Sequence, residues 1–258
     1  MSKIQTLKEY NSIIVKILDN IYNLSNEENE KIIGVKNKEQ PYELKIKEIL
    51  NKYCVETIKK KNNKNVDIVD DENIKCEYTN LFYEYQPNGS QQPPDFVIYC
   101  ENYEKKKIEC KSSKNNKPVW NCSIPDQETI YVYYDTNKKL TYIFEGDKII
   151  SNEDRNKIIK FNDELKKLCN DFNNTTLYDK NMSYYPRQMI NQIKKMDEII
   201  PDRDIVFTEI KNKILSIDNC EKIIKTTKNK HVIFQQKQTD NQKIVKVKKN
   251  KSTKNKTL

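Results

Sequence analysis

Three charged residues near the middle of the chain have the types and the spacing that metal-dependent cleavage of a phosphodiester requires. Asp95 follows Pro94, thirteen residues separate it from Glu109, and Lys111 lies two positions further on. Cleavage with a hard cation needs carboxylates that converge on the ion and a group that orients the attacking water. The sequence therefore indicates a magnesium site at Asp95 and Glu109, with Lys111 beside it.

Two short strands must position these residues. Residues 96–100 form an apolar run, residues 107–111 alternate in polarity, and a polar segment separates the two. This pattern predicts a β-hairpin. Because side chains two apart on a strand share a face, Glu109 and Lys111 should project together, and we expect them on the open face of the sheet. The hairpin would bring Asp95 beside Glu109.

Patterning along the rest of the chain predicts an α/β fold of the α+β kind, with a central mixed β-sheet flanked by helices. Ser2 and Gln5 resemble a capping box that opens a first helix. A second helix should carry Ile46, Ile49, Leu50, Tyr53 and Cys54 on one face and end by the loop at 59–64. Runs rich in aromatic and β-branched residues predict strands over 81–85, 129–134 and 140–144. A further helix should begin at Ser151, with one side lined by Ile158, Phe161, Leu165, Leu168 and Phe172.

The scarcity of histidine and glycine argues against histidine-based catalysis and against a nucleotide-binding function. The chain has one histidine, His231, and three glycines, none of which lies in a phosphate-binding loop. Seven cysteines at irregular spacing indicate reduced thiols. No apolar run approaches the roughly 18 residues of a membrane span, and the N-terminus lacks a secretory signal. We therefore expect a cytoplasmic protein that does not contact a membrane.

The domain organisation is predicted to be simple. We expect a single domain over residues 1–240, with the catalytic core within about 40–175. Residues 241–258 carry seven lysines and no acidic residue, so they should form a basic, flexible tail. Such a tail raises the affinity for polyanions, although a purely solubilising role fits its composition equally well.

The motif itself resembles a known signature. Pro94-Asp95, the thirteen-residue spacing and Glu109-Cys110-Lys111 resemble the PD-(D/E)xK nuclease superfamily, and the surrounding residues resemble type II restriction endonucleases over roughly residues 40–150. The resemblance implies a restriction-endonuclease-like core. It also implies Asp95 and Glu109 as Mg²⁺ ligands, the backbone carbonyl of Cys110 as a third ligand, and Lys111 near the attacking water.

Members of this superfamily often add an acidic residue from the helix before the sheet. Glu43 suits that role best, and Glu48 is nearly as eligible. Either could instead be an ordinary exposed glutamate paired with a lysine three or four positions away. A competing motif, Pro201-Asp202 with Glu209-Ile210-Lys211, leaves only six residues between its acids, which is too few for a hairpin.

Polar residues around the motif are candidates for DNA contacts by analogy with the family. They are Gln91, Ser112, Ser113, Lys114 and Asn121. Hydroxyl, amide and ammonium groups at these positions could meet phosphates or base edges, or could belong to a polar loop with no partner. Trp120, in the same segment, is expected to anchor packing rather than to stack on a base.

The resemblance implies a type II restriction endonuclease. Such an enzyme hydrolyses double-stranded DNA with Mg²⁺ to 5′-phosphate and 3′-hydroxyl ends, acts as a homodimer on its site, and accompanies a cognate DNA methyltransferase. Two alternatives stay open. One is a structure- or damage-directed repair nuclease of the same superfamily, and the other is a non-catalytic basic DNA-binding protein in which the motif is accidental.

Overall fold

The computed structural model describes residues 2–24, 41–59, 66–68, 76–89, 92–100, 103–121, 123–177, 180, 182–185 and 189–217. The chain divides into two units, residues 1–212 and 213–258. In the second unit residues 213–217 are described, and they are helical. The predicted tail over 241–258 and the predicted end of the domain at residue 240 lie outside the described residues.

Five helices are described in the first unit. They are α1 (Leu7–Tyr22), α2 (Pro41–Tyr53), α3 (Asn152–Phe172), α4 (Met196–Ile199) and α5 (residues 203–212). Nine strands accompany them. They are β1 (Val55–Lys59), β2 (Val66–Ile68), β3 (Leu81–Tyr85), β4 (Phe96–Cys100), β5 (Lys106–Ser113), β6 (Val119–Asn121), β7 (Thr129–Asp135), β8 (Leu140–Glu145) and β9 (Met189–Asn191).

Seven of these strands form one mixed sheet in the order β2-β1-β3-β4-β5-β7-β8. The pairs β1–β3 and β5–β7 are parallel, and the other neighbours are antiparallel. Strands β6 and β9 form a separate antiparallel pair. The predicted α+β architecture, a central mixed sheet flanked by helices, is confirmed, and β5 is an inner strand of that sheet.

The first two helices differ in their ends from the sequence prediction. Thr6, not Ser2, caps α1, because its hydroxyl accepts a bond from the Glu9 amide at 3.1 Å. The Glu9 carboxylate in turn accepts from the Gln5 amide at 2.9 Å. Helix α2 ends at Tyr53, before the loop at 59–64, and β1 follows at once as a strand that the sequence did not predict.

Aromatic residues fill the core on one side of β7. Trp120 is 2% exposed and meets Tyr131 edge-on at 5.3 Å between ring centroids, and Tyr131 stacks on Phe144. Truncating a buried aromatic side chain of this size typically costs about 3–5 kcal/mol. The expectation that Trp120 anchors packing is confirmed, and this anchor holds the segment that follows β5.

Helix α3 begins as predicted, since Ser151 accepts a bond from the Asp154 amide at 3.1 Å. Its 21 residues include a single buried one, Cys169. The apolar stripe expected to line one side of this helix is present but largely exposed. No helix among the described residues is both long enough and apolar enough to cross a membrane.

Candidate active site

The β4–β5 hairpin sets Asp95 against Glu109. Phe96 is paired with Ile108, and extending the antiparallel register by one residue places Asp95 opposite Glu109. The Cys110 amide donates a hydrogen bond of 2.7 Å to Oδ2 of Asp95. The main-chain oxygen of Asp95 accepts from the Gln86 amide at 2.7 Å, which ties this end of the hairpin to the end of β3.

Glu109 and Lys111 project from the same face of β5 and form an ion pair, with Nζ of Lys111 2.5 Å from Oε1 of Glu109. The pair is not on an open face, so that expectation is wrong. Glu109 is 5% exposed, and the Lys111 side chain is 15% exposed. The reason is that Glu109 is paired with Tyr131 and Lys111 with Tyr133, so the ion pair lies on the face of the sheet that the aromatic core covers.

The second oxygen of Glu109, Oε2, is buried and makes no hydrogen bond with any residue that the structure describes. The Asp95 backbone is close enough to the Glu109 carboxylate to lower its pKa, which only partly offsets the effect of burial. Buried polar atoms are nearly always bonded, and an unsatisfied one costs roughly 1–3 kcal/mol, and more when it carries charge. A buried carboxylate oxygen of this kind is suited to bind a cation.

Glu43 of α2 is the third acidic residue at the site. It is buried, and its Oε2 accepts a bond of 3.0 Å from the Tyr85 hydroxyl, which in turn accepts from Nε2 of Gln86. Burial and, next, the charge of Asp95 raise the pKa of Glu43 to about 7. Tyr85 and Gln86 therefore hold the Glu43 carboxylate in place. The sequence did not predict this role, because a tyrosine and a glutamine at the end of a strand show no pattern that identifies a carboxylate partner.

Glu48, the other acidic candidate on α2, behaves as an ordinary surface residue. It is paired with Lys45 at 2.9 Å, three positions away. The structure thus brings Glu43 and not Glu48 to the two hairpin carboxylates. Glu209 and Lys211 of the competing motif lie on α5 and pair elsewhere, Glu209 with Lys148 at 2.7 Å and Lys211 with Asp19 at 3.0 Å.

Burial and mutual repulsion act on the whole cluster. The pKa of Asp95 is raised by burial, against the opposing effects of the Cys110 amide and the Lys111 ammonium. The pKa of Glu109 is also raised by burial, with Lys111 lowering it and Asp95 raising it further. Burial followed by the charges of Asp95, Glu43 and Glu109 raises the pKa of the Cys110 thiol. Three carboxylates thus share one ammonium in a poorly hydrated space.

This donor set fits a hard divalent cation. Carboxylate oxygens are the ligands that Mg²⁺ and Ca²⁺ prefer, and a cation would both satisfy Oε2 of Glu109 and offset the repulsion with Asp95. Within the described ranges, no three His, Cys, Asp or Glu side chains lie close enough together to hold a metal ion as they stand.

A basic pocket, here called the lysine pocket, begins where β5 ends. It has a volume of about 450 Å³, and its lining includes Lys114, Lys117, Lys138 and Lys195. Lys138 is paired with Asp197, whereas Lys114, Lys117 and Lys195 have no acidic partner among the residues that are described. Lys195 is a residue that sequence reasoning missed, because it is far from the motif in the chain.

The residues predicted to contact DNA differ in their exposure and in their hydrogen bonds. Lys114 is exposed and lines the lysine pocket, and Ser112 is half-buried beside it on β5. The Ser113 hydroxyl is engaged internally, 2.7 Å from the Tyr133 hydroxyl and 3.1 Å from the Lys117 amide. Asn121 is the last residue of β6, and only its backbone is described. Gln91 lies outside the described residues.

Comparison of the chain with protein-family models, with curated proteins and with solved structures finds no match in any of the three. The residues of the site and their geometry are therefore the basis for assigning a function to this chain.

Proposed function

We propose that this protein is a magnesium-dependent DNA endonuclease of the PD-(D/E)xK kind, with a restriction-endonuclease-like fold. The observation that carries the proposal is the meeting of Asp95 with the Glu109–Lys111 pair at one end of a hairpin, where Oε2 of Glu109 is buried and has no hydrogen-bond partner among the described residues. A surface hairpin with accidental charges would leave those groups in water. Here they are buried together at a net cost, which is typical of functional sites.

The residues have distinct roles in this proposal. Asp95 and Glu109 would hold the metal ion, together with the Cys110 carbonyl, and Glu43 would add a carboxylate from α2. When bound, Mg²⁺ supplies Lewis-acid activation of the phosphodiester and of the attacking water. Lys111 has its ammonium against Glu109, where it can orient the nucleophile or offset charge that develops on the phosphate.

DNA is the proposed substrate because the positive charge lies where a polyanion would pass. Lys114 is the third residue after Lys111 on the same run of chain, so at about 3.3 Å per residue the lysine pocket begins about 10 Å from the catalytic lysine. The formal charge of +9 adds a long-range attraction. Phosphates of a bound strand would neutralise the lysines of this pocket.

Among DNA endonucleases, we propose a type II restriction enzyme that cuts both strands at a specific site to 5′-phosphate and 3′-hydroxyl ends. A methyltransferase of matching specificity would then protect the host DNA. The residues that follow the catalytic motif are the ground for this choice, since they resemble that class. A repair nuclease of the same superfamily would instead prefer branched or damaged DNA over an intact duplex.

The test is digestion of unmethylated phage DNA by the full chain with Mg²⁺, with a chelator lane beside it. Glu109→Gln and Lys111→Ala are the active-site variants. Their matched controls are Glu104→Gln and Lys107→Ala, which change exposed residues of the same types in the same hairpin. We expect discrete fragments from the wild type and from both controls, and none from the active-site variants or with chelator.

Other outcomes distinguish the alternatives. A smear or nicking of branched DNA alone would favour the repair nuclease. Intact DNA across duplex, single-stranded and branched substrates, with binding unchanged in Glu109→Gln and Lys111→Ala, would overturn the proposal and leave a basic DNA-binding protein.

A further inference from the structure

Two side-chain oxygens at the floor of the lysine pocket have no hydrogen-bond partner. Asn116 and Asp135 line this pocket and are 5% and 0% exposed. Oδ1 of Asn116 and Oδ2 of Asp135 are buried and bond to no residue that the structure describes. Buried acceptors are nearly always bonded, so two of them in one pocket indicate a place for a ligand that donates hydrogen bonds.

The other polar atoms of these two side chains fix their orientation. Oδ1 of Asp135 accepts from the backbone amides of Asn137 and Lys138 at 2.9 and 3.1 Å, so Oδ2 is the oxygen that is left over. Nδ2 of Asn116 donates to Asp197 at 2.9 Å, which leaves the Oδ1 atom of Asn116. Both free acceptors are therefore held in place and cannot turn to bond elsewhere without breaking these contacts.

The charges of the pocket are arranged in two layers. The carboxylate of Asp135 lies at the floor, whereas Lys114, Lys117 and Lys195 bring positive charge nearer to the solvent. A simple anion such as inorganic phosphate would be repelled by the carboxylate at the floor, and a metal cation would be repelled by the lysines. The ligand that suits both layers has uncharged N–H donors at its inner end and negative charge at its outer end.

We propose that the lysine pocket binds one unstacked nucleotide of the DNA, and that its base carries an exocyclic amino group, as cytosine and adenine do. The amino group would donate to Asn116 Oδ1 and Asp135 Oδ2, and the flanking phosphates would lie against the lysines. Thymine and guanine present a carbonyl oxygen at the corresponding position. A volume of about 450 Å³ is typical of small-ligand sites, and a base must leave the duplex stack to reach a buried floor.

The pocket lies in line with the candidate active site. Lys111 is paired with Tyr133 and Ser113 with Asp135, so Asp135 projects from the face of the sheet that carries Lys111. It lies two residues, or about 7 Å, further along the strands. At about 3.4 Å per nucleotide, the bound nucleotide would be about two positions from a phosphate at Lys111. This placement rests on the proposed nuclease function, whereas the preference for an amino group is measurable without cleavage.

The test compares tetranucleotides that differ in this one group. Deoxycytidine against deoxyuridine, and deoxyadenosine against deoxyinosine, exchange the amino group for a carbonyl and keep the same phosphates. Binding to the full chain is measured by isothermal titration calorimetry with a chelator present, so that no cleavage contributes. We expect at least one amino-bearing tetranucleotide to bind at least about tenfold more tightly than its counterpart, because a carbonyl oxygen would face two acceptors.

Asp135→Asn is the decisive variant. Its side-chain oxygen can still accept from the amides of Asn137 and Lys138, so an amino donor replaces Oδ2, and the preference should fall or reverse towards the carbonyl-bearing tetranucleotides. Asn116→Gly suits the left-handed backbone at this position, where φ is 55°, and should also reduce the preference. Asp171→Asn removes the same charge from an exposed position on α3 and should leave the preference unchanged.

The lysines should act differently from the floor. Lys117→Gln with Lys195→Gln should weaken both members of each pair of tetranucleotides equally, since phosphates are common to them. Equal binding of every amino-bearing tetranucleotide and its counterpart would overturn the inference. So would a preference that survives both Asp135→Asn and Asn116→Gly in proteins whose thermal unfolding is unchanged.

Failure of this inference and failure of the proposed function give different results. Site-specific cleavage together with equal binding of the tetranucleotides would keep the nuclease and reject the nucleotide pocket. A clear preference for the amino-bearing tetranucleotides in a protein that cleaves no DNA would keep the pocket and reject the nuclease.

Discussion

The backbone amide of Cys110 donates a 2.7 Å hydrogen bond to Oδ2 of Asp95. This bond holds the carboxylate that precedes β4 against the main chain between Glu109 and Lys111. The distance between the acidic groups is therefore set by strand pairing and not by flexible side chains. Such preorganisation means that conservative changes at the site should alter chemistry more than folding.

Asp95→Asn is expected to abolish cleavage without lowering stability. The amide oxygen can still accept from Cys110, whereas loss of the charge removes a metal ligand, which should reduce the cleavage rate at least about 100-fold. Because burial raises the pKa of Asp95, the neutral isostere should be at least as stable as the wild type near pH 7. Thermal unfolding and single-turnover cleavage measure the two properties. A variant that cleaves normally would contradict the assignment.

Glu109 and Lys111 should be strongly coupled in stability. Lys111→Met leaves a buried carboxylate unpaired, which should cost about 3 kcal/mol in the free energy of unfolding. Adding Glu109→Gln should recover most of that loss. The exposed Lys107–Glu128 pair is the matched control, for which the same cycle should give less than about 1 kcal/mol. Urea unfolding of the four proteins in each cycle measures the coupling, and additive effects at Glu109 and Lys111 would argue against a tight pair.

The metal-free protein should lose stability as the pH rises from 4.5 to about 7. Burial, and next the charge of Asp95, raise the pKa of Glu43 from 4.5 to about 7. A carboxyl group whose pKa is higher in the folded state favours folding fully only below its unfolded-state pKa. The free energy of unfolding then falls as the pH rises to the folded-state pKa, here by up to about 3 kcal/mol. Glu43→Gln should flatten this profile.

Magnesium should oppose that loss, because it binds the ionised carboxylates of the folded state. At about 100 times its dissociation constant a ligand adds about 2.7 kcal/mol. Thermal unfolding with and without Mg²⁺ at pH 5 and pH 8 gives the comparison. A Mg²⁺ effect that is equal at both values, or that persists in Asp95→Asn with Glu109→Gln, would place the ion elsewhere.

The lysine pocket should contribute to DNA affinity through phosphates. Replacing Lys117 and Lys195 by Gln removes two charges that have no acidic partner among the described residues, so the slope of log affinity against log salt should fall by about 2. Binding is measured with Ca²⁺ in place of Mg²⁺. Lys3→Gln with Lys8→Gln, two exposed lysines near the N-terminus, is the control. An equal change in both double variants would show general attraction and no defined contact.

The sequence predicted those elements that depend on interactions between residues close together in the chain. The hairpin, the strands over 81–85, 129–134 and 140–144, and the Ser151 cap were readable because alternation and capping depend on a few adjacent residues. The same holds for Asp95 opposite Glu109, since a hairpin of that length has few registers.

The failures arise from contacts between distant segments. Burial of Glu109 depends on β7 and on the aromatic core around Tyr131, which no pattern within residues 107–111 contains. Strands β6 and β9 are three residues each and pair across about seventy positions, so neither has a period to detect. Lys195 reaches the lysine pocket for the same reason. The exposed stripe of α3 was visible as periodicity, but periodicity alone does not distinguish a buried stripe from an exposed one.

Strands β5 and β7 run parallel and side by side, so the chain must leave the sheet after Ser113 and return at Thr129. Parallel neighbours cannot be joined by a tight turn and need a dozen or more residues. This obligatory excursion starts at β5 and is fastened in the core by Trp120. Its exposed residues can therefore be exchanged while Asp95 and Glu109 stay in place, which makes them the positions to randomise if the proposed nuclease is to be given a different DNA preference.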